Sequence, residues 1–369
     1  MQGNCLGEIL CKVFNARATT PIDPACQSTR LRALKSSMQT PRVIIISPAL
    51  ANANNGNWQT AWRWSRMLSP AFHTEIAQTW DGKPFDVMLA LHARRSADSI
   101  AAWAKANTKG LGVVLTGTDL YRDIQTDATA QASLNLAQRL VVLQECGPDA
   151  LPPSVRHKAQ VIFQSVSARQ PVIKQQKHLR AVMVGHLRDE KSPQTLFEAA
   201  QLLQNHSDIF IDHIGEPLDA ALGEQARATA AACPHYRWLG GQTHEATLRH
   251  IQRAHLLVHA SKMEGGAHVV MEAVCSGTPV LASKIAGNIG MLGADYAGYF
   301  DHGDAQGLAD LLIRCRSDQL AASDLKPPPP NVSGSFYQQL QTQCSQRAHL
   351  FSPEAEQAAL IKLVHDLLT

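Results

Sequence analysis

The sequence predicts an α/β protein with two doubly wound parallel-sheet domains in tandem, and three observations indicate this fold. Short apolar runs rich in Val, Ile and Leu alternate with helical segments, as expected of parallel strands covered on both faces. The alternation occurs in two series, separated by a polar stretch rich in Gln and Lys at 167–178. In the second series, polar residues directly follow the strands, where open α/β sheets bind ligands. We therefore expect two Rossmann-like domains.

The composition limits both the partners and the compartment. The chain has 369 residues, 45% of them hydrophobic and 18% charged, which is enough mass for two domains. A net charge of +3 is too weak to indicate nucleic acid binding, and no apolar run approaches the roughly 20 residues that span a membrane. The eight cysteines include no Cys-x-x-Cys pair and no close cluster. We interpret them as reduced thiols of a cytoplasmic protein.

The first 37 residues differ from the rest of the chain. They show no strand or helix period, contain Pro21 and Pro24, and carry five basic residues against two acidic ones. Such a leader suggests a targeting segment, but it has no continuous apolar core and no small-residue cleavage site. We therefore interpret residues 1–37 as a non-native or disordered leader, with Met38 as the natural initiator.

The first domain is predicted over residues 38–170. Its first strand is 42–47, followed by an Asn- and Gly-rich loop at 48–57 and by a helical pattern that begins at Trp58. The same alternation predicts further elements in this domain. The strands are 86–91, 112–115, 140–143 and 160–163, and the helices are 96–106 and 128–138.

The second domain, predicted over 171–330, repeats this alternation. A run of four prolines at 327–330 breaks any helix and precedes two amphipathic segments, 336–346 and 353–368. We predict that residues 331–369 form helices that cross back and pack on the first domain. The strands of the second domain are 180–184, 209–214, 236–239, 255–258 and 279–282, and its helices are 193–204, 219–232, 245–252 and 267–276.

Two glutamates eight positions apart, Glu264 and Glu272, are the most informative pair in the chain. In the segment 261–280, a Glu-Gly-Gly turn precedes a short amphipathic helix that carries the second glutamate, and Gly-x-Pro-Val then opens a strand. Glycines let backbone N–H groups approach a ligand closely, and a helix N-terminus favours negative charge. The segment is therefore suited to a nucleotide-linked sugar that meets both carboxylates and the amides.

In its order of elements and in this segment, the chain resembles the GT-B glycosyltransferases of the Glu-x7-Glu type, which retain anomeric configuration. The resemblance extends over roughly 42–310. It implies that the first domain binds the acceptor, that the second binds the nucleotide sugar, and that the reaction takes place in the cleft between them. It also implies an enzyme that uses a UDP-sugar as co-substrate.

The resemblance also implies roles on the donor side. Glu272 would hydrogen-bond the ribose hydroxyls of the UDP group, and its Cβ points back toward the helix N-terminus and the cleft. Glu264 is a predicted catalytic residue that would accept hydrogen bonds from hydroxyls of the transferred sugar. The backbone amides that would face the diphosphate or the sugar are those of Gly265, Gly266 and Ala267.

Basic residues after the first strand of the second domain are predicted to hold the diphosphate. Lys191 matches the lysine of the family's Gly-Arg-Leu-x-x-x-Lys motif, whereas His186 stands where the family has arginine. A neutral imidazole is a weaker phosphate ligand, so we expect Arg188 to supply the missing charge. Gly215, after the next strand, completes the predicted donor site. No convincing Asp-x-Asp metal site is present, so we predict neither a metal nor another cofactor.

On the acceptor side, His92, Arg94 and Arg95 directly follow a strand of the first domain. Together with the Asn-rich loop and a Thr-Gly-Thr-Asp segment after the next strand, they suit a small anion better than a sugar hydroxyl. Two alternatives stay open: the arginines begin a helix and form surface salt bridges, or His92 is a satisfied core histidine. The remaining predicted acceptor residues are Asn54, Asn55, Gly56, Asn57, Thr116, Gly117, Thr118 and Asp119.

The acceptor segments 48–60, 91–96 and 115–123 resemble one subgroup, the bacterial selenosugar synthases of selenoneine biosynthesis. The resemblance implies that selenophosphate attacks the anomeric carbon of UDP-N-acetylglucosamine or UDP-glucose, forms a carbon–selenium bond and releases UDP. Selenophosphate is already ionised, so it requires an anion pocket more than a strong base. We therefore expect Arg94, Arg95 and the loop 54–57 to hold its phosphate and His92, as the second catalytic residue, to orient it.

Three alternative functions remain compatible with the sequence. A GT-B transferase acting on a hydroxyl acceptor shares all of the donor-side residues. A UDP-sugar epimerase of related fold and a non-catalytic UDP-sugar-binding protein are the other two. The preferred UDP-sugar, the anomeric outcome, the competition from sulfur or oxygen acceptors and the oligomeric state stay open.

Overall fold

Two six-stranded parallel sheets with flanking helices account for the fold, and they confirm the predicted pair of parallel-sheet α/β domains. The computed structural model describes residues 40–50, 56–324 and 334–369. All of its elements lie in one compact unit, Pro41–Thr369. The leader predicted at 1–37 lies outside the described residues. In the elements that are described, each pair of neighbouring strands runs parallel.

The sheet of the first domain has the strand order β2-β1-β3-β4-β5-β6. Its central strands are almost continuously apolar because helices cover both faces: Val43 and Ile45 pack into one core, and Ile44 and Ile46 into another. The strands are β1 (Arg42–Ile46), β2 (His73–Ala77), β3 (Val87–Leu91), β4 (Leu111–Leu115), β5 (Arg139–Val142) and β6 (Ala159–Val161). The helices are α1 (Gly56–Leu68), α2 (Ala97–Ala106), α3 (Ile124–Thr126), α4 (Ala128–Leu136) and α5 (Pro153–Arg156), with a π-helical turn at Asp119–Asp123 and a 3₁₀ turn at Pro148–Ala150.

The sheet of the second domain has the order β12-β11-β10-β7-β8-β9. Its strands are β7 (Leu179–Val184), β8 (Ile209–Ile214), β9 (Tyr236–Trp238), β10 (Leu256–His259), β11 (Val280–Ser283) and β12 (Tyr299–Phe300). Its helices are α6 (Pro193–Leu202), α7 (Ala220–Ala232), α8 (His244–Arg253), α9 (His268–Val274), α10 (Ala286–Leu292) and α11 (Ala305–Asp324), and a 3₁₀ turn covers Asp189–Lys191.

The two C-terminal helices pack on different domains, which corrects the prediction that both pack on the first. Helix α12 (Phe336–Arg347) buries Phe336, Leu340 and Cys344 in the core of the second domain. After a 3₁₀ turn at Ala348–Phe351, helix α13 (Pro353–Leu368) crosses back and packs its apolar face against the first sheet. Burial of each of its leucine and valine side chains stabilises the folded state by about 1.5–3 kcal/mol. These buried side chains are Leu360, Leu363, Val364 and Leu367.

The ten strands predicted from apolar runs are all present, with bounds that differ by at most two residues. Two edge strands were missed. Strand β2 has the sequence HTEIA and is only partly buried, and β12 has two residues, so neither has the apolar run of a central strand. Helices α10 and α11 were not predicted either. The stretch 167–178 contains no strand or helix and connects β6 to β7, as expected of a linker.

The strand orders fix where the loops of both domains meet. The order in which strands are added to the sheet reverses between β1 and β3 in the first sheet and between β7 and β10 in the second, although each of these pairs is parallel. Ligands of doubly wound sheets bind at such switch points, beyond the carboxyl ends of the strands. The predicted acceptor segments follow β1, β3 and β4, and the predicted donor segments follow β7, β8 and β10. The topology therefore brings each predicted set of residues to the ligand-binding edge of its sheet.

Candidate active site

Glu264 lies directly beside two basic side chains of the second domain. The ammonium of Lys191 donates to its Oε1 at 2.6 Å, and Nε2 of His259 lies 3.4 Å from the same oxygen. Burial opposes ionisation of this carboxyl, but Lys191 and His259 hold the pKa of Glu264 well below its usual range. Glu264 is therefore an ionised carboxylate with fixed orientation.

Glu272 is buried on α9 and has one hydrogen-bond partner among the described residues. Its Oε1 accepts a hydrogen bond from Nε2 of His244 at 2.8 Å, and the His244 side chain is 75% exposed. This hydrogen bond raises the pKa of His244 above its ordinary value, although partial burial acts in the opposite direction. The second predicted carboxylate thus has an exposed imidazole as its partner, and it favours the protonated form of that ring.

The basic residues after β7 differ in charge state. His186 accepts a hydrogen bond from the Glu216 amide at its Nδ1, 3.1 Å away. Burial and the nearby charge of Arg188 lower the pKa of His186, so this imidazole is neutral at pH 7. Arg188 is half-exposed and its Nε lies 3.9 Å from Glu190. The permanent positive charges in this segment therefore come from Arg188 and Lys191.

The glycines of the donor loop are required by contact between the two domains. A Cβ atom at Gly265 would lie 2.5 Å from the carbonyl carbon and oxygen of Thr116, and one at Gly266 would lie 2.8 Å from the Cβ of Leu143. Gly117 has a φ of +136°, and a Cβ there would lie 3.0 Å from the Gly265 nitrogen. The sequence assigns these glycines to ligand contact, and the structure adds close packing of backbone on backbone across the cleft.

Two other predicted donor residues contact protein groups in this structure. The amide of Ala267 donates to the sulfur of Met291 at 3.1 Å in a buried contact, so the prediction that it faces the ligand is wrong for this arrangement. Gly215 is buried, and a Cβ there would lie 1.9 Å from the Gly185 carbonyl oxygen. Gly215 thus permits the ends of β7 and β8 to approach each other, which is a packing role.

His92 is buried immediately after β3, with 2% of its side chain exposed. It has a φ of +72°, a left-handed conformation in which histidine is enriched, and its Nδ1 accepts from the Arg95 amide at 3.3 Å. Its Nε2 therefore carries the proton and lies 3.3 Å from the Thr118 hydroxyl. Burial lowers the pKa of His92, opposed by Asp119. This geometry matches the alternative left open above, in which His92 is a core histidine whose hydrogen bonds are made within the protein.

Asp119 joins the loops after β3 and β4. Its side chain is fully buried, and its oxygens accept from the amides of Ala93 at 2.9 Å, Thr116 at 2.8 Å and Gly117 at 3.0 Å. A carboxylate with these bonds has no surface left for an acceptor molecule. The prediction that Asp119 contacts the acceptor is therefore corrected: it positions Thr116 and Gly117.

The predicted arginine pair does not act as a unit. Arg94 donates to Asp123 at 2.8 Å, and Arg122 donates to the other oxygen of Asp123 at 3.1 Å. Arg122 also extends to within 4.0 Å of Glu190 in the second domain. Arg95 is exposed and has no ion pair among the described residues. Of the two predicted arginines, Arg94 matches the salt-bridge alternative and Arg95 retains its positive charge for a ligand.

The Asn-rich loop is described only in part. Asn54 and Asn55 lie outside the described residues. Gly56 and Asn57 begin α1, where the Thr60 hydroxyl donates to the Gly56 carbonyl at 2.8 Å. The structure therefore places the end of this loop at the start of a helix whose later turns contact the second domain.

Sequence reasoning missed four histidine and arginine residues at the site. His259 is the last residue of β10 and His244 lies after β9, so both are at the carboxyl ends of strands of the second sheet, and this position was a usable signal. Arg63 and His268 are separated by 205 positions, yet Nη1 of Arg63 lies 3.0 Å from Nε2 of His268. No local pattern identifies that pair.

The fold and the cleft define the class: this is a GT-B fold, in which two Rossmann-like domains face each other. Residues 167–327 match the family model of the glycosyl transferases group 1. This range contains Lys191, Glu264 and Glu272, so the donor half of the chain is similar to that family in sequence as well as in fold. The chain matches no curated protein.

Solved structures with the same fold are distant in sequence. Sucrose-phosphate synthase from Thermosynechococcus elongatus is 15% identical, with a TM-score of 0.67 over 89% of this chain and 99% of that one. HepE of Anabaena, solved in complex with UDP and glucose, is 14% identical, with a TM-score of 0.62 over 89% and 100%. A TarM variant of S. aureus, solved with fondaparinux, alpha-GlcNAc-glycerol and UDP, is 15% identical with a TM-score of 0.58. The matched region covers 76% of this chain and 56% of the TarM chain.

The described residues contain neither a membrane-spanning helix nor a cluster of metal ligands. No helix among them combines the length and the apolar character needed to cross a membrane. No three His, Cys, Asp or Glu side chains within 40–50, 56–324 and 334–369 are grouped as metal ligands. The absence of a metal requirement stays a prediction.

Proposed function

We propose that the protein is a UDP-sugar-dependent glycosyltransferase that uses selenophosphate as acceptor and forms a carbon–selenium bond. The observation that carries the donor half is the pair of carboxylates at the cleft, Glu264 bound to Lys191 and Glu272 bound to His244. The match of residues 167–327 to glycosyl transferases group 1 supports this half. The UDP complexes of HepE and TarM also support it.

Basic and acidic side chains that lie close together bind different parts of the UDP-sugar. Lys191 has three N–H donors, so it can keep its bond to Glu264 and still meet the diphosphate. Glu264 then accepts from hydroxyls of the transferred sugar, and Glu272 accepts from the ribose. Arg188 adds charge beside the diphosphate, where His186 is neutral. Fixed cations of this kind stabilise the negative charge that develops on the departing UDP.

The transfer itself requires little proton chemistry. Selenium of ionised selenophosphate attacks the anomeric carbon, the bond from that carbon to the UDP oxygen breaks, and UDP leaves with the electron pair. Water then cleaves the phosphorus–selenium bond and releases phosphate and the selenosugar. A neutral, buried His92 is compatible with this reaction because no base is needed. Arg95, which is exposed, supplies positive charge for the acceptor phosphate.

A hydroxyl acceptor is the second candidate, and one observation favours it. Asp123 already binds Arg94 at 2.8 Å and Arg122 at 3.1 Å, which reduces the positive charge available to an anionic acceptor. Under this alternative, the donor-side roles stay the same and only the acceptor changes.

The decisive experiment offers the purified protein UDP-N-acetylglucosamine or UDP-glucose under anaerobic conditions. Parallel reactions contain selenophosphate, phosphate, an alcohol or water alone, and products are identified by mass spectrometry. We expect a selenium-containing hexose or hexosamine together with UDP. Glu272→Gln is the negative control, since it keeps the size of the side chain and removes the charge that binds ribose.

Each alternative gives a distinct result in the same reactions. Transfer to the alcohol but not to selenophosphate would favour the hydroxyl acceptor. Conversion of the UDP-sugar to an isomer without any acceptor would identify an epimerase. Binding of UDP without turnover in any reaction would identify a non-catalytic binding protein.

A further inference from the structure

One side chain of the first domain is hydrogen-bonded to the helix that carries Glu272. Arg63 on α1 donates from its Nη1 to Nε2 of His268, the first residue of α9, over 3.0 Å. A guanidinium has no acceptor, so His268 accepts and its ring is neutral. Burial and the charge of Arg63 lower the pKa of His268 to about 3, which keeps this acceptor available at any physiological pH. We name this contact the Arg63–His268 bridge.

Arg63 is itself fixed by a buried carboxylate of the C-terminal helix. Its Nε lies 3.1 Å from Glu356, which also accepts from the indole of Trp64 at 2.6 Å. The Ser165 amide and hydroxyl, just before the linker, donate to the same carboxylate at 2.8 and 2.6 Å. Glu356 is 1% exposed and therefore fixes α1, the start of the linker and α13 relative to one another.

The Arg63–His268 bridge thus connects the two candidate substrate sites. Helix α1 begins at Gly56, at the end of the predicted acceptor loop, and Gln164 donates to Thr60 in its first turns at 2.6 Å. Helix α9 carries Glu272 four residues after His268, on the same helix face. A rotation of α9 relative to α1 therefore moves the ribose ligand relative to the acceptor loop.

We propose that Arg63 is a positioning residue of the transfer reaction, and that its hydrogen bond to His268 aligns the donor helix with the acceptor loop. This inference rests on the proposed function. Transfer rates depend steeply on the distance and angle between the reacting atoms, and a misplacement of about 1 Å costs roughly 100-fold. Binding of the donor alone depends much less on that alignment.

His268 is the better residue to change, because Arg63 also binds the buried Glu356 and its loss would disturb folding. His268→Leu removes the acceptor, whereas His268→Gln keeps an oxygen acceptor for Arg63. We expect His268→Leu to lower kcat about 10- to 100-fold while the Kd for UDP changes less than about 3-fold. His268→Gln should recover most of kcat. The measurements are steady-state kinetics with the UDP-sugar, calorimetric titration with UDP and thermal unfolding.

A second bond between the domains provides a matched control. Arg347 on α12 binds Glu145 of the first domain at 2.9 Å, and this carboxylate is about half-exposed. Glu145→Gln removes that ion pair without touching α9, so its kcat should equal that of the wild type. A decrease equal to that of His268→Leu would mean that any lost contact between the domains has the same effect, and it would overturn the specific role of the bridge.

Two further outcomes would contradict the proposal. If His268→Leu keeps wild-type kcat, or if its whole loss appears in the Kd for UDP, Arg63 does not position the helices. If His268→Gln fails as His268→Leu does while both unfold at the wild-type temperature, the hydrogen bond is not the relevant interaction. Failure of the proposed function is separate: the wild type would then bind UDP and transfer nothing, which removes the reaction that the bridge serves.

Discussion

The donor loops of the second domain and the acceptor loops of the first occupy equivalent switch points but use their charges differently. On the donor side, Glu264 has Lys191 beside it, and Glu272 has an exposed His244, so both carboxylates remain able to meet a ligand. On the acceptor side, Asp119 is fully engaged by backbone amides, and Asp123 binds two arginines. The two carboxylates of the first domain therefore hold backbone amides and arginines in place, whereas the two of the second are paired with basic side chains of their own domain.

The largest effect is expected from a substitution in the predicted donor site, at Glu264. Glu264→Gln keeps the side-chain size but leaves Lys191 and His259 without their carboxylate, and it weakens the acceptor for sugar hydroxyls. We expect kcat/KM for transfer to fall at least about 100-fold, as for other charge-assisted contacts in active sites. Steady-state assays of UDP release measure it, with the exposed Glu245→Gln as the control. Activity within about 3-fold of the wild type would assign Glu264 a structural role.

The next effect tests the contact between the two regions. Gly265→Ala places a Cβ 2.5 Å from the Thr116 carbonyl, so the domains must separate at this point. We expect roughly a 10- to 100-fold loss of kcat with folding preserved, because a shift of about 1 Å suffices for that loss. Gly240→Ala is a control in which a Cβ meets nothing within 4 Å, although its φ of +65° adds backbone strain. Equal kinetics for Gly265→Ala and the wild type would show that the close approach at Thr116 is not needed for turnover.

A smaller effect separates the two arginines of the acceptor side. Arg95 is exposed and has no ion pair among the described residues, whereas Arg94 binds Asp123 at 2.8 Å. Arg95→Met should raise KM for selenophosphate about 10-fold and leave KM for the UDP-sugar unchanged. Arg94→Met should have a smaller and indirect effect on the two KM values, through the position of Asp123. If Arg95→Met leaves KM for selenophosphate unchanged, the acceptor phosphate is not bound there.

The smallest effect concerns pH and the exposed partner of Glu272. The folded-state pKa of His244 is raised by Glu272, so the pair stabilises the fold fully below the ordinary histidine pKa of about 6.5 and loses this contribution as pH rises through the raised value. NMR titration should show the pKa of His244 falling in Glu272→Gln. Because His244 is largely exposed, the change in unfolding temperature should be small. An unaltered pKa in Glu272→Gln would mean that the two residues do not pair in solution.

Sequence patterns predicted most of the scaffold because central parallel strands have an unambiguous composition. Runs such as Val87–Leu91 are buried on both faces, so nearly every residue is apolar, while the edge strand His73–Ala77 lacks that pattern and was missed. Glu264, Glu272 and Lys191 could be predicted as donor-site residues because their spacing follows from one turn, one helix and one loop. His259 and His244 were overlooked, although His259 ends β10 and His244 follows β9 of the same sheet.

The sequence by itself determined the two α/β domains, the donor carboxylates and the basic loop after β7, since all of these depend on contacts between neighbours along the chain. Only the tertiary structure decided which polar groups remain open to a ligand. The side chains of Asp119 and His92 are buried and form hydrogen bonds within the loops after β3 and β4, and the amide of Ala267 donates to the sulfur of Met291. The Arg63–His268 bridge joins residues 205 positions apart. Burial and partner choice depend on how two domains and a returning helix pack, and local periodicity contains no information about that packing.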